Sequence, residues 1–99
     1  MEYEIKFHPE ALKDFCALDG SIKILVKKQL EKLKTSPFLG EELGNKNGFD
    51  LSGYRKMYVC KKQVRIVYSV KENILLVEII AIGKRNDMEV YKTADKRIN

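Results

Sequence analysis

The chain has 99 residues, 44% of them hydrophobic and 33% charged, with a net charge of +5. A chain this short buries only roughly 60–65% of its unfolded surface, so one domain over residues 1–99 is expected and a second core is excluded. No apolar run reaches the roughly 18 residues of a membrane span, and the first residues lack a signal-peptide pattern, so a cytoplasmic protein with no membrane contact is expected.

Tyr3 to Phe7 alternate in polarity and predict a first strand. Pro9 suits the opening turn of a helix that carries Leu12, Phe15 and Cys16 on one side. Asp19-Gly20-Ser21 ends that helix, and Ser21 is the expected N-cap of the next. In the second helix Ile22, Leu25, Val26, Leu30 and Leu33 form an apolar stripe, with lysines on the remaining surface. Pro37 closes it. Residues 36–53 hold Gly40, Gly44, Gly48 and Gly53 and little periodicity, and they read as a long irregular loop. Three strands follow at about 54–59, 64–70 and 74–82, joined by short loops as an antiparallel meander. Gly83 ends the last, and Asp87 is placed to cap a terminal helix with Val90, Tyr91, Ala94 and Ile98 at helical spacing. The expected class is α+β: a small antiparallel sheet in the order β-α-α-β-β-β-α, two N-terminal helices on one face and a short C-terminal helix.

Two cysteines and one histidine exclude a disulfide framework and a metal constellation, and no cofactor is implied. Cys16 reads as a small core residue and His8 as structural or exposed. The charge is uneven. Residues 1–50 hold 8 Lys/Arg and 9 Asp/Glu (−1), whereas residues 51–99 hold 11 and 5 (+6). Arg55, Lys56, Lys61, Lys62, Arg65 and Lys71 lie in a stretch from Leu51 to Lys71 that contains no acidic residue. Arginines on a sheet face make a poor core and a good cradle for a polyanion, which points to nucleic acid.

Strand alternation puts Arg55 and Met57 on one side, and Arg65, Val67 and Ser69 together on the next strand. A two-residue turn at Glu72-Asn73 sets Arg65 opposite Ile80, with Gly83-Lys84-Arg85 leaving the sheet nearby, so that Arg55, Arg65 and Arg85 converge. A hairpin centred near Lys61 sets Met57 across from Arg65. Tyr54, Tyr58 and Tyr68 read as sheet-packing residues, and Tyr91, taken alone, as helix packing. Lys84 reads as a strand-end charge, and Arg55 with Lys56 also fits a generic phosphate patch.

The blocks Gly53-Tyr-Arg-Lys-Met57, Val64-Arg-Ile-Val-Tyr68 and Ile82-Gly-Lys-Arg-Asn-Asp-Met-Glu-Val-Tyr91 resemble those of the RelE/ParE toxins of bacterial type II toxin–antitoxin pairs, nearer the RelE branch. Order and spacing agree from about residue 50 to the C-terminus. The resemblance implies an endoribonuclease that cuts messenger RNA in the ribosomal A site without a metal, by 2′-hydroxyl attack on the adjacent phosphate. It implies Arg65 and Arg85 as phosphate stabilisers, and Tyr91 as the residue that stacks on a base and helps orient or activate the 2′-hydroxyl. Arg55 matches the first of two strand lysines, and Met57 stands where the second is expected. Lys56, Lys61, Lys62 and Lys84 would add RNA contacts. The implied partners are messenger RNA, the ribosome with its 16S ribosomal RNA, and a cognate antitoxin in a hetero-oligomer. Two other readings share the fold or the charge: a ParE-like toxin that inhibits gyrase, and a non-catalytic RNA-binding module.

Overall fold

The computed structural model describes residues 2–46, 49–59, 61, 63–84 and 89–98, with backbone alone at 45–46, 49–50, 84 and 89–92. Among them the order is β1 (Glu4–Phe7), α1 (Pro9–Cys16), α2 (Gly20–Thr35), β2 (Glu41–Lys46), β3 (Phe49–Val59), β4 (Val64–Lys71), β5 (Leu76–Lys84) and α3 (Glu89–Ile98). The strands form one sheet, β1-β5-β4-β3-β2. The β2–β3, β3–β4 and β4–β5 pairs are antiparallel, and β1 lies parallel to β5. The α+β class holds, but the sheet is mixed and has a strand more than the sequence suggested. The added strand, β2, comes from the segment read as an irregular loop. An edge strand needs no buried alternation, and glycines at positive φ, Gly44 (60°) and Gly53 (85°), bend the β2–β3 pair and hide its period.

Each sheet face carries a core. On one, Ile66, Tyr68, Val77 and Ile79 pack under Ala11 of α1 and Val26, Leu30 and Leu33 of α2. On the other, Val67, Ile80 and Ala81 pack with Leu43, Leu51 and Ala94 of α3. Thus α3 sits opposite α1 and α2, not beside them. A bulge makes this second core: Val67 faces Ala81 while Tyr68 faces Ile79, so Ile80 is the extra residue and both Ile80 and Ala81 serve the α3 side.

Local details depart from the sequence reading in physically simple ways. His8 caps α1, its Nδ1 accepting from the Glu10 N–H at 3.1 Å, with Pro9 in the first turn. The inward face of α1 is Ala11 and Phe15, the latter against Phe7, so Leu12 and Cys16 are exposed rather than core. Asp19, not Ser21, is the N-cap of α2, in extended conformation before Gly20. A 3-10 turn, Glu72–Ile74, replaces the two-residue loop before β5 and leaves Ile74 exposed. The proposed capping residue Asp87, together with Cys60, lies outside the described residues.

Beyond Phe7 the edge of β5 has no strand partner among the described residues, and an ion pair satisfies it. Arg97 of α3 donates to Asp14 of α1 (2.7 and 3.3 Å) and to the Ile80 carbonyl (2.7 Å), while the Ile82 N–H donates to Asp14 (3.2 Å). This bidentate pair ties α1, β5 and α3 together across the end of the sheet. Arg97→Ala is expected to cost about 2 kcal/mol in denaturant unfolding, less than a fully buried pair because both side chains keep some solvent. Arg97→Lys should recover only part, having charge without the fork.

Candidate nucleic-acid interface

The register of the β3–β4 hairpin decides which basic residues act together. Arg55 pairs with Tyr68, Lys56 with Val67, Met57 with Ile66 and Tyr58 with Arg65. Side chains of paired residues share a face, so Arg55 and Met57 point to the α1–α2 side, and Lys56, Tyr58 and Arg65 to the α3 side. The expected convergence of Arg55 with Arg65 therefore does not occur, and Met57 is not across from Arg65. Arg65 pairs with Gly83 rather than Ile80. That places the start of Gly83-Lys84-Arg85 directly beside Arg65, and Gly83 has no side chain to cover it.

Arg55 is a structural clamp. Its Nη1 donates to the Gly40 carbonyl (2.7 Å) and the Phe38 carbonyl (3.4 Å), its Nη2 to Glu42 (3.2 Å), and its guanidinium lies 4.9 Å from the Phe38 ring centre. Beside it the buried Tyr68 hydroxyl donates to the Pro37 carbonyl (2.9 Å) and accepts from the Gly40 N–H (2.8 Å). Burial pushes the Tyr68 phenol above its ordinary 10.0, against the opposing pull of the Gly40 N–H and the Arg55 charge. Together these side chains set the turn between α2 and β2. Met57 packs on the same core. Met57→Lys is expected to destabilise by about 2 kcal/mol, through lost packing and a half-buried charge. Thermal melts read this, and unchanged stability would contradict the face assignment.

On the α3 side the Tyr58 ring lies near two cations, the Lys56 Nζ 5.0 Å and the Arg65 guanidinium carbon 5.4 Å from its centre. Lys56 Nζ also donates to the Tyr58 hydroxyl at 2.9 Å and lies 4.0 Å from Glu41; its side chain is only 11% exposed. Lys, Tyr and Arg thus form one row across two strands. A planar guanidinium fork suits a phosphate, an ammonium adds a point charge, and the ring offers a face for stacking.

The other expected residues fall in three groups. Lys61, at the hairpin turn with φ 54°, is exposed. The backbone of Lys84 pairs with Val64, and that of Tyr91 lies in α3 one turn before the buried Ala94. Lys62 and Arg85 lie outside the described residues. Sequence reasoning set Tyr58 among the sheet-packing residues and missed its place in this row. The signal was there: strands bounded at 59 and 64 pair end to end, which sets Tyr58 opposite Arg65.

The family model described as the ParE toxin of the type II toxin-antitoxin system parDE matches residues 5–89. The mRNA interferase toxin RelE of Escherichia coli strain K12 is 34% identical over 101 residues, covering 99% of both chains. A doubly substituted E. coli toxin RelE solved in the free state superposes with a TM-score of 0.80 at 29% identity, over the whole of both chains. The intact E. coli RelBE toxin-antitoxin complex gives 0.69 at 26%, covering 85% of this chain and 98% of that one. A matching family model over most of the sequence and an end-to-end relative at this identity leave one conclusion: the chain belongs to the RelE/ParE toxin family of type II toxin–antitoxin systems, on its RelE branch.

Proposed function

We propose that this protein is the toxin of a type II pair and stops translation by cutting messenger RNA in the ribosomal A site. The observation that carries this reading is the Lys56–Tyr58–Arg65 row on the α3 face, in a chain that matches an mRNA interferase from end to end. Arg65 is the phosphate-holding group. Arg85, two residues beyond the Gly83 that pairs with Arg65, is the second by sequence, and Tyr91 of α3 is the stacking residue. Lys56 belongs to the same row, and Lys61, Lys62 and Lys84 extend the RNA-binding charge. Arg55 has no part in the chemistry: it faces away and holds the 37–42 turn.

The sequence carries no histidine but His8, which caps α1. No histidine is therefore at hand as acid or base, and the ribosome supplies the in-line geometry of the 2′-hydroxyl. The cytoplasm, where ribosomes work, is the site of action. A cognate antitoxin is the expected partner, since the E. coli relative is solved with RelB. An acidic or amphipathic segment that orders on binding would neutralise the basic half.

Because the matching family model is that of ParE toxins, gyrase inhibition is the competing reading. Pulse labelling after expression without a partner separates them. The expected result is an immediate block of protein synthesis with DNA synthesis failing later. An early, lasting block of DNA synthesis while proteins are still made would overturn the ribonuclease reading.

A further inference from the structure

Three tyrosines lie on the β3–β4 hairpin, and two have packing roles. Tyr68 is wholly buried in one core, and Tyr54 packs against the α3 core. Tyr58 belongs to neither cluster and is half-buried, its ring against Lys56 and Arg65. Its hydroxyl accepts a proton-donating contact from the Lys56 ammonium at 2.9 Å. An ammonium has no lone pair to accept with, so this contact places the phenol oxygen without taking up its proton. Tyr58 is also the cross-strand partner of Arg65, so a phosphate held by Arg65 lies beside the phenol.

We propose that Tyr58 is the general acid of the cleavage, with Lys56 as its positioning residue; the inference rests on the ribonuclease reading above. The 2′-oxygen forms the new bond to phosphorus, and its proton passes to solvent. The bond from phosphorus to the 5′-oxygen breaks, its electron pair stays on that oxygen, and the Tyr58 proton joins it. The products are a 2′,3′-cyclic phosphate, a 5′-hydroxyl and a phenolate that rests against the Lys56 ammonium until water reprotonates it. A phenol, with a reference pKa of about 10, is a far stronger acid than the alcohol it creates, so the transfer runs downhill. The Lys56 ammonium stabilises the charge left on Tyr58 at the moment it forms.

The test uses programmed ribosomes saturated with toxin, in single-turnover cleavage of two messages. One carries the natural 5′-oxygen at the scissile position and the other a bridging 5′-sulfur, which departs as a thiolate and needs no proton. Tyr58→Phe keeps the ring beside Lys56 and Arg65 and removes only the hydroxyl, and a thermal melt alongside checks its folding. It is expected to be about 10²-fold slower on the oxygen message, and within about threefold of wild type on the sulfur message. A purely structural or substrate-positioning role would slow both messages equally, and that result overturns the proposal. So does a Tyr58→Phe protein that cuts the oxygen message at the wild-type rate. Wild-type toxin that leaves both messages intact would instead bring down the ribonuclease reading itself.

Discussion

Arg65→Ala is expected to slow single-turnover messenger-RNA cleavage by about 10²–10³-fold, the scale for removing one preorganised donor from a developing oxyanion. Arg65 stands on β4 between the core residues Val64 and Ile66, so its backbone is fixed while its side chain faces the α3 side. Removing the side chain leaves both cores untouched, and the melting temperature should move little. Arg65→Lys should recover only part of the rate, because one ammonium cannot place two parallel donors on a phosphate. Arg55→Ala makes the informative contrast. It strips carbonyl and carboxylate contacts from the 37–42 turn and should lower stability, with the rate of the folded fraction preserved. Equal wild-type rates for Arg65→Ala on saturated ribosomes would contradict the site.

The largest stability effect is expected at Gly40. A Cβ there would lie 2.5 Å from the Lys56 carbonyl oxygen and 2.6 Å from the Tyr68 hydroxyl. Neither can yield cheaply. The carbonyl belongs to β3 within the sheet, and the hydroxyl is held between Pro37 and the Gly40 N–H itself. Gly40→Ala must therefore push the turn away and break hydrogen bonds around a buried phenol, at a cost of about 3 kcal/mol. In a chain of this size that corresponds to a fall in melting temperature of roughly 12–20 °C. Gly20→Ala is the control. Nothing lies within 4 Å of its Cβ, and it opens α2, where alanine is the better helix former, so its stability should hold or rise slightly. A Gly40→Ala protein that melts with wild type would contradict the clamp.

Much of the fold was legible because the buried elements carry strong periods. The stripe of α2 delivers Val26, Leu30 and Leu33 to the core, and the β-branched runs of β4 and β5 are strands. Edges were harder to read. β2 buries little, and its bend at Gly44 and the Gly53 bulge of β3 break the alternation that marks a strand. The parallel pairing of β1 with β5 leaves no local sign either, because it joins residues some seventy positions apart. The site shows how far a one-residue error reaches. Arg65, Lys56 and the nearness of Gly83-Lys84-Arg85 were all visible in the sequence, yet a hairpin centred half a residue early turned Arg55 and Met57 toward the site and Tyr58 into packing. Strand pairing in register converts a list of basic residues into the row that faces α3.

The ribonuclease reading is most directly tested by primer extension on a defined message in a purified translation system, with chelator present and the same RNA without ribosomes in parallel. The account predicts a discrete stop within the codon held in the A site, appearing with wild-type protein and strongly reduced with Arg65→Ala. It predicts weak or absent cutting of the ribosome-free RNA. An intact message on programmed ribosomes, or brisk cutting of the naked RNA at unrelated positions, would contradict it.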